Sequence, residues 1–409
     1  VGNLRTNKTF RLLVLARAVN VLGNAIAPIA LAFALLDMGF SASELGLVVG
    51  ARTLANVIFL LAGGVLADRV PRSLVLIGSM TTAFLSQATV AALVLSGNAT
   101  LTLLMILSLV NGMASAFAMP AAAALIGEVV PTEDRRNANA VNGFARNGAM
   151  IIGAGFGGIL VATLGPGLGL AVDAATFAVA GLIYLRVPVK PAPPKQSHVF
   201  ADLRIGWREL TNHTWLWAVV LGFCFINMVY GGVYQVLGPV IADASFGREV
   251  WGLIIAANTV GMVGSAVLAM RIKVKHPLRL GVICVLGEPL MMVALAKTSS
   301  PALLIAVSLL AGVGLQQFVV AWETSMQNHV DADKLARVYS WDMLGSFVAI
   351  PVGTALAGPV SLKLGMTTTL IGGAAICTVA LALVLASRSV RTLPGVKPTS
   401  QPDPYPLGV

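Results

Sequence analysis

Apolar residues in this chain fall into long, nearly unbroken blocks rather than the narrow stripe of a soluble helix or the alternation of a strand. A block of about 20 apolar residues is the length an α-helix needs to cross the hydrocarbon core of a bilayer. Twelve such helices are predicted, over 10–36, 44–67, 73–96, 100–126, 137–162, 167–185, 214–240, 249–270, 278–297, 300–327, 335–362 and 366–387. Short connections join most of them. The longest, 186–213, starts with the stiff proline-rich run Val187-Pro-Val-Lys-Pro-Ala-Pro-Pro-Lys195. Phe200, Leu203, Trp207 and Leu210 then recur at helical spacing, which predicts an amphipathic helix on the membrane surface. The chain divides into a first six-helix half (1–185), this linker (186–213), a second half (214–387) and a tail (388–409) expected to be disordered.

The halves repeat. Gly46-Leu-Val-Val-Gly-Ala-Arg-Thr53 recurs 206 residues on as Gly252-Leu-Ile-Ile-Ala-Ala-Asn-Thr259. At an offset of 200, Gly153, Gly158 and Gly165 recur as Gly353, Gly358 and Gly365. Two pseudo-symmetric six-helix halves that rock about a central site are a transporter architecture, and an anchor or membrane enzyme has no evident need of them.

Composition agrees with an all-α membrane protein. Of 409 residues 57% are hydrophobic and 11% charged, against about 25% charged in soluble domains. The net charge of +10 has no basic stripe with interleaved aromatics, so nucleic acid is not the expected partner. Location explains the charge instead. Twenty-one lysines and arginines fall in the termini and in loops on one side, against Arg248, Lys297 and Lys363 on the other. Basic residues collect on the cytoplasmic side, so both termini are expected there. Cys224, Cys284 and Cys377 lie far apart inside apolar blocks, with neither disulfide nor metal-ligand spacing, and no cofactor is expected.

Gly64-Val-Leu-Ala-Asp-Arg-Val-Pro-Arg72 joins two spans and is too charged to be buried in lipid. It resembles the signature loop between helices two and three of the major facilitator superfamily, with Pro71 and Ser73 as departures. The resemblance implies a cytoplasmic gate of Gly64, Asp68, Arg69, Arg72 and, at the end of span four, Glu128. Phe117-Ala-Met-Pro120, Glu128-Val-Val-Pro-Thr-Glu-Asp134 and Arg337-Val-Tyr-Ser-Trp-Asp342 are similar to one branch, the bacterial enterobactin exporters and macrolide-efflux proteins. Gly153-Ala-Gly-Phe-Gly157-Gly158 looks like a worn antiporter motif, although ordinary close packing of small residues fits it too. Span four lacks the basic residue that many drug–proton antiporters carry, which the stretch Leu109-Val-Asn-Gly-Met-Ala-Ser115 makes plain.

The family fold implies that spans one, four, seven and ten line the cavity. Each carries a polar stripe on one helical face: Arg17, Asn20 and Asn24; Ser108, Asn111 and Ser115; Asn227, Tyr230 and Tyr234; Gln316, Glu323 and Gln327. Polar groups at membrane depth must face protein or water, so the stripes point inward, toward substrate or toward other helices. Amide and aromatic groups suit an amphipathic organic molecule better than a sugar or small ion. A carboxyl enclosed in a low-dielectric site can exchange a proton near neutral pH. Glu323 is the first candidate for coupling, with Glu288 and Asp342 behind it; Glu288 equally fits a structural role. No Walker loop or nucleophile elbow is present, so no enzyme is indicated. The expectation is a monomeric exporter of drug- or siderophore-like molecules in the bacterial plasma membrane, driven by proton antiport. Metabolite uptake, lipid translocation and a non-transporting sensor or scaffold are the alternatives.

Overall fold

The computed structural model describes residues 7–131, 134–187, 199–269, 274–331 and 334–395. Twelve helices among them are long and apolar enough to span a membrane. They are α1 (Lys8–Asp37), α2 (Ala42–Arg69), α3 (Arg72–Leu95), α4 (Leu101–Val129), α5 (Arg135–Leu164), α6 (Pro166–Tyr184), α7 (Thr214–Ala244), α8 (Arg248–Ala269), α9 (Pro277–Lys297), α10 (Pro301–His329), α11 (Leu335–Leu364) and α12 (Met366–Ala386). The face holding the start of α1 and the end of α12 is called the basic face below, and the other the far face.

Local sequence sets the ends. The Asn7 side chain accepts from the Phe10 amide at 3.0 Å, and Ser41 with Glu44 forms a capping box at the start of α2. Gly165 and Gly365, equivalent in the repeat, turn the chain with φ of 87° and 83°. A side chain is strained in that conformation, so each half reuses the same residue for the same corner.

Three spans predicted as continuous are interrupted, each shortly before a proline. A π turn at Val233–Leu237 lies before Pro239; α9 breaks after Cys284, before Pro289; and α11 breaks after Phe347, before Pro351. Proline cannot donate to the carbonyl four residues back, and its ring crowds that position. Pro28, Pro120 and Pro359 are carried inside helices without a break.

In the first half α1 packs on α5 and α6, and α4 on α2 and α3; in the second, α7 packs on α11 and α12, and α10 on α8 and α9. The halves join along α2 with α11 and along α5 with α8. The amphipathic helix of the linker is present over Val199–Asn212. It docks on the second half: Trp207 packs on Trp341 with ring centroids 4.9 Å apart, and Glu209 reaches Lys334 at 3.3 Å. Asp331 and Glu209 hold the Lys334 ammonium above the usual lysine range. The proline run 188–195 lies outside the described residues. The tail opens as a helical turn, Arg388–Thr392.

Candidate functional site

Small residues seal the far end of the seam. A Cβ on Gly158 of α5 would stand 2.9 Å from the Gly252 Cα in α8, and one on Gly252 would stand 2.8 Å from the Ala154 carbonyl oxygen. Gly46 of α2 lies against the Thr354 carbonyl, and Gly358 of α11 against the Ser43 backbone. Gly153 and Gly157 face the other way, onto Leu22, Ala25 and Ile26 of α1. The antiporter-like glycines thus wedge α5 between α1 of its own half and α8 of the other.

Charge reinforces the same end. Arg248 donates to Asp37 of the first half, including a 2.9 Å bond from Nη1, and to Asp243 of its own half at 2.9 Å from Nε. Its guanidinium carbon also sits 4.8 Å from the centroid of the Phe33 ring. Sequence reasoning passed over this triad. Asp37 and Asp243 stand at the repeat offset of 206. Arg248 is one of only three basic residues assigned to that side, and those two facts are the signal that could have found it.

Toward the basic face the seam parts. Between α2 and α4 on one side and α11 on the other opens a pocket of about 230 Å³, lined by Thr53, Asn56, Met119, Met343 and Phe347 among others. Phe144 of α5 is 79% exposed, and Gly143 and Gly148 have no neighbouring side chain within reach. Glu323 and Gln327 of α10 are exposed. Asp342 accepts from the Trp322 indole and from the Ser346 hydroxyl, each at 3.1 Å.

The polar stripes divide by half. In the first half they turn into the bundle. Arg17 packs among Leu13, Leu76 and Tyr184; Asn20 donates to the Met80 sulfur at 3.6 Å; Asn24 donates to Asn20 and accepts from Arg52 at 3.1 Å. Buried Asp173 faces Arg52 and lies against Gly23. Ser108 and Asn111 are buried too, with the Asn111 amide donating to Ser86 of α3 at 3.3 Å, and Ser115 is half-buried. Here Asn20, Asn24 and Asn111 serve contacts within the half.

In the second half Asn227 donates to the Ser346 carbonyl at 3.0 Å. Tyr230 and Tyr234 stack with centroids 4.1 Å apart, Tyr234 lying in the π turn. Gln316 is half-buried, while its neighbour Gln317 donates to the Ser265 hydroxyl at 2.8 Å. Glu288 is 1% exposed at the start of the second segment of α9, facing Tyr230, Tyr234 and Cys377. The Tyr234 hydroxyl approaches its carboxyl without closing a hydrogen bond of good geometry, and both carboxyl oxygens lack a partner. Arg72 is half-buried at the start of α3; the side chains of Asp68, Arg69 and Glu128, and the surroundings of Gly64, lie outside the described residues.

Known proteins resemble this chain in sequence and in fold. The family model described as Major Facilitator Superfamily matches residues 13–354. The enterobactin exporter EntS of Escherichia coli O1:K1 / APEC is 26% identical over 286 residues, covering 69% of this chain and 68% of that protein. EntS of Escherichia coli O139:H28 is 26% identical over 241 residues, 59% of this chain and 58% of the relative. Among solved structures, a bacterial homolog of the human lysosomal transporter Spinster, inward-facing and unoccupied, superposes with a TM-score of 0.70 at 15% identity, covering 94% of this chain and 97% of the other. The nucleoside transporter NupG gives 0.70 at 13% identity, covering 93% and 98%. At those identities the structural likeness speaks to the fold alone.

Proposed function

The chain belongs to the major facilitator superfamily, a family of transporters rather than enzymes, and from that premise we propose that it exports amphipathic small molecules from bacteria by proton antiport. The observation that carries the reading is the one-sided seam, sealed at the far face and parted at the basic face. In a transporter of two halves this is one of the two states between which alternating access moves. The excess of basic residues supports assigning the parted face to the cytoplasm, with both termini there and the plasma membrane as location. The likeness to an enterobactin exporter supports outward transport of a siderophore-like cargo; a drug-like cargo and a monomer belong to the proposal itself. In the opposite state the loop bearing Gly64, Asp68, Arg69 and Arg72, with Glu128, closes the cytoplasmic end.

Glu323 is the coupling group in this reading. It is exposed at the parted end beside Asp342 and Tyr339, so it meets protons from the cytoplasmic side in this state and becomes enclosed when the halves rock. Proton and substrate then compete through one site, which links their affinities. A second reading puts the proton on Glu288, favoured by its two unpartnered oxygens beside the π turn of α7 and the break in α9. A proton there removes a charge that burial would otherwise penalise.

Inverted membrane vesicles test both. An acid interior should drive drug or dye accumulation, and an uncoupler should abolish it. Glu323→Gln should lose gradient-driven transport while still binding substrate. Wild-type transport in that variant together with loss in Glu288→Gln moves the role to Glu288. Accumulation that ignores the uncoupler contradicts antiport.

A further inference from the structure

At the basic face the chain leaves α12 at Ser387, and residues 393–395 are tied back onto the second half. Nδ1 of His276 lies 3.2 Å from the Leu393 carbonyl oxygen, the Gly395 amide donates to Lys275 at 3.2 Å, and the Asn328 side-chain amide donates to the Gly395 carbonyl at 2.7 Å. These bonds hold the turn Arg388–Thr392 over the start of α9. Arg388 and Arg391, three apart on one face of the turn, then meet Arg279 and His276. With Thr392 they line a pocket of about 300 Å³. Among the described residues no carboxylate pairs with any of the three arginines. Among the described residues the Arg391 guanidinium makes a single 3.4 Å bond, to the Ala386 carbonyl. Like charges gathered without a counter-charge repel, and an anion in their midst reverses the sign. Guanidinium forks match the oxygens of a phosphate.

A second feature ends at Ser387, the residue before Arg388. Between α7 and α12 runs a groove of about 790 Å³, from Thr214 and Ser387 at the basic face to Phe225 and Ala375. Trp217, Leu221, Ile376, Val379 and Leu383 make its walls apolar. Ala375 to Ser387 is about 18 Å of helix at 1.5 Å per residue. One leaflet contributes about 15 Å of hydrocarbon. The groove is as long as one acyl chain is deep, and a free phosphate ion has no use for it.

We propose that an anionic phospholipid of the basic-face leaflet binds here, its phosphate among Arg279, Arg388 and Arg391 and an acyl chain in the α7–α12 groove. Basic pockets between spans at the cytoplasmic side are built for such headgroups. Every contributing element belongs to the second half or to the tail turn tied onto it, so the lipid braces that half without crossing the seam, and its signature is binding and stability rather than the balance between states.

The test uses the full chain in detergent, with binding of phosphatidylglycerol, phosphatidylcholine and inorganic phosphate followed by native mass spectrometry and thermal unfolding. Phosphatidylglycerol should bind in preference to phosphatidylcholine and raise the unfolding temperature. The double variant R388Q/R391Q should weaken phosphatidylglycerol binding by about fivefold per arginine. Val379→Trp should weaken it by filling the groove, and Lys363→Gln, on the far face, should leave it unchanged. Equal binding of the two lipids overturns the site, as does an undiminished preference in R388Q/R391Q. Equal weakening by Lys363→Gln would reduce the effect to overall charge. Inorganic phosphate alone reproducing the full stabilisation would make this a free-anion site and refute the lipid.

Discussion

The two ends of the seam use the same helix pairs, yet one is sealed and the other parted. Side-chain size separates them. At the far face α2, α5, α8 and α11 meet through Ser43, Gly46, Ala154, Gly158, Gly252 and Gly358, and backbones touch. Toward the basic face α2 and α11 carry the larger Val57, Leu60, Met343 and Phe347, which line the open pocket. Within a membrane, apolar burial gives no advantage to helix–helix contact over helix–lipid contact, so close packing and polar contacts decide where helices join. The far end seals on its backbones, and the basic end, lined by larger side chains, does not.

Breaking the small-residue seal should give the largest effect. Gly158→Leu would place atoms against the Gly252 backbone and the Arg248 carbonyl oxygen, 3.1 Å from the new Cβ. Overpacking costs about 1–3 kcal/mol, which shifts the ratio of states by roughly 5- to 150-fold away from the far-sealed form. Transport should fall accordingly, and a cysteine at Ala256 should gain reactivity toward a reagent added from the far side. Unchanged accessibility would remove the seal from the account.

The charged triad comes next. Arg248→Gln removes one contact across the seam, to Asp37, and one within the second half, to Asp243. Half-exposed ion pairs contribute about 0.2–1 kcal/mol each, so far-side accessibility should rise by no more than about fivefold. Asp37→Asn should reproduce much of this and Asp243→Asn little, because only the first crosses the seam. Equal accessibility in the two aspartate variants would show that the triad braces α7 and α8 rather than the halves.

The linker gives the smallest effect. Lys334→Ala removes exposed pairs at the docked linker helix and should change neither transport nor unfolding temperature measurably. A raised lysine pKa adds stability that is present below the unfolded value and lost as pH rises through the folded one. That window is far above neutrality, so no pH dependence of docking should appear around pH 7. A large loss of transport would make the linker part of the moving machinery.

Much of the fold was legible in the sequence, because hydrocarbon imposes a length that apolar blocks record directly. The repeat was legible at Gly165 and Gly365, where one backbone corner demands one residue type. The interruptions in α7, α9 and α11 carried their signal in Pro239, Pro289 and Pro351, but Pro28, Pro120 and Pro359 show that proline alone does not decide. The site was less legible. Spacing tells that Arg17, Asn20 and Asn24 share a face but not which neighbour that face meets. Arg52 and Met80, on α2 and α3, draw Asn24 and Asn20 into the first half. The pairing of Arg248 with Asp37 spans 211 residues, a separation that no local pattern encodes.

Central to the account is that the two ends open and close in opposition, and two distances across one helix pair test it. Spin labels at Asn137 and Ala336, exposed at the basic-face starts of α5 and α11, report one end; labels at Thr163 and Lys363 report the other. Both pairs are measured in a chain whose Cys224, Cys284 and Cys377 have been replaced, with and without a transported substrate and a pH gradient. The account predicts that when the Asn137–Ala336 distance shortens, the Thr163–Lys363 distance lengthens. Two distances that move together, or that stay fixed while substrate is carried, would contradict it.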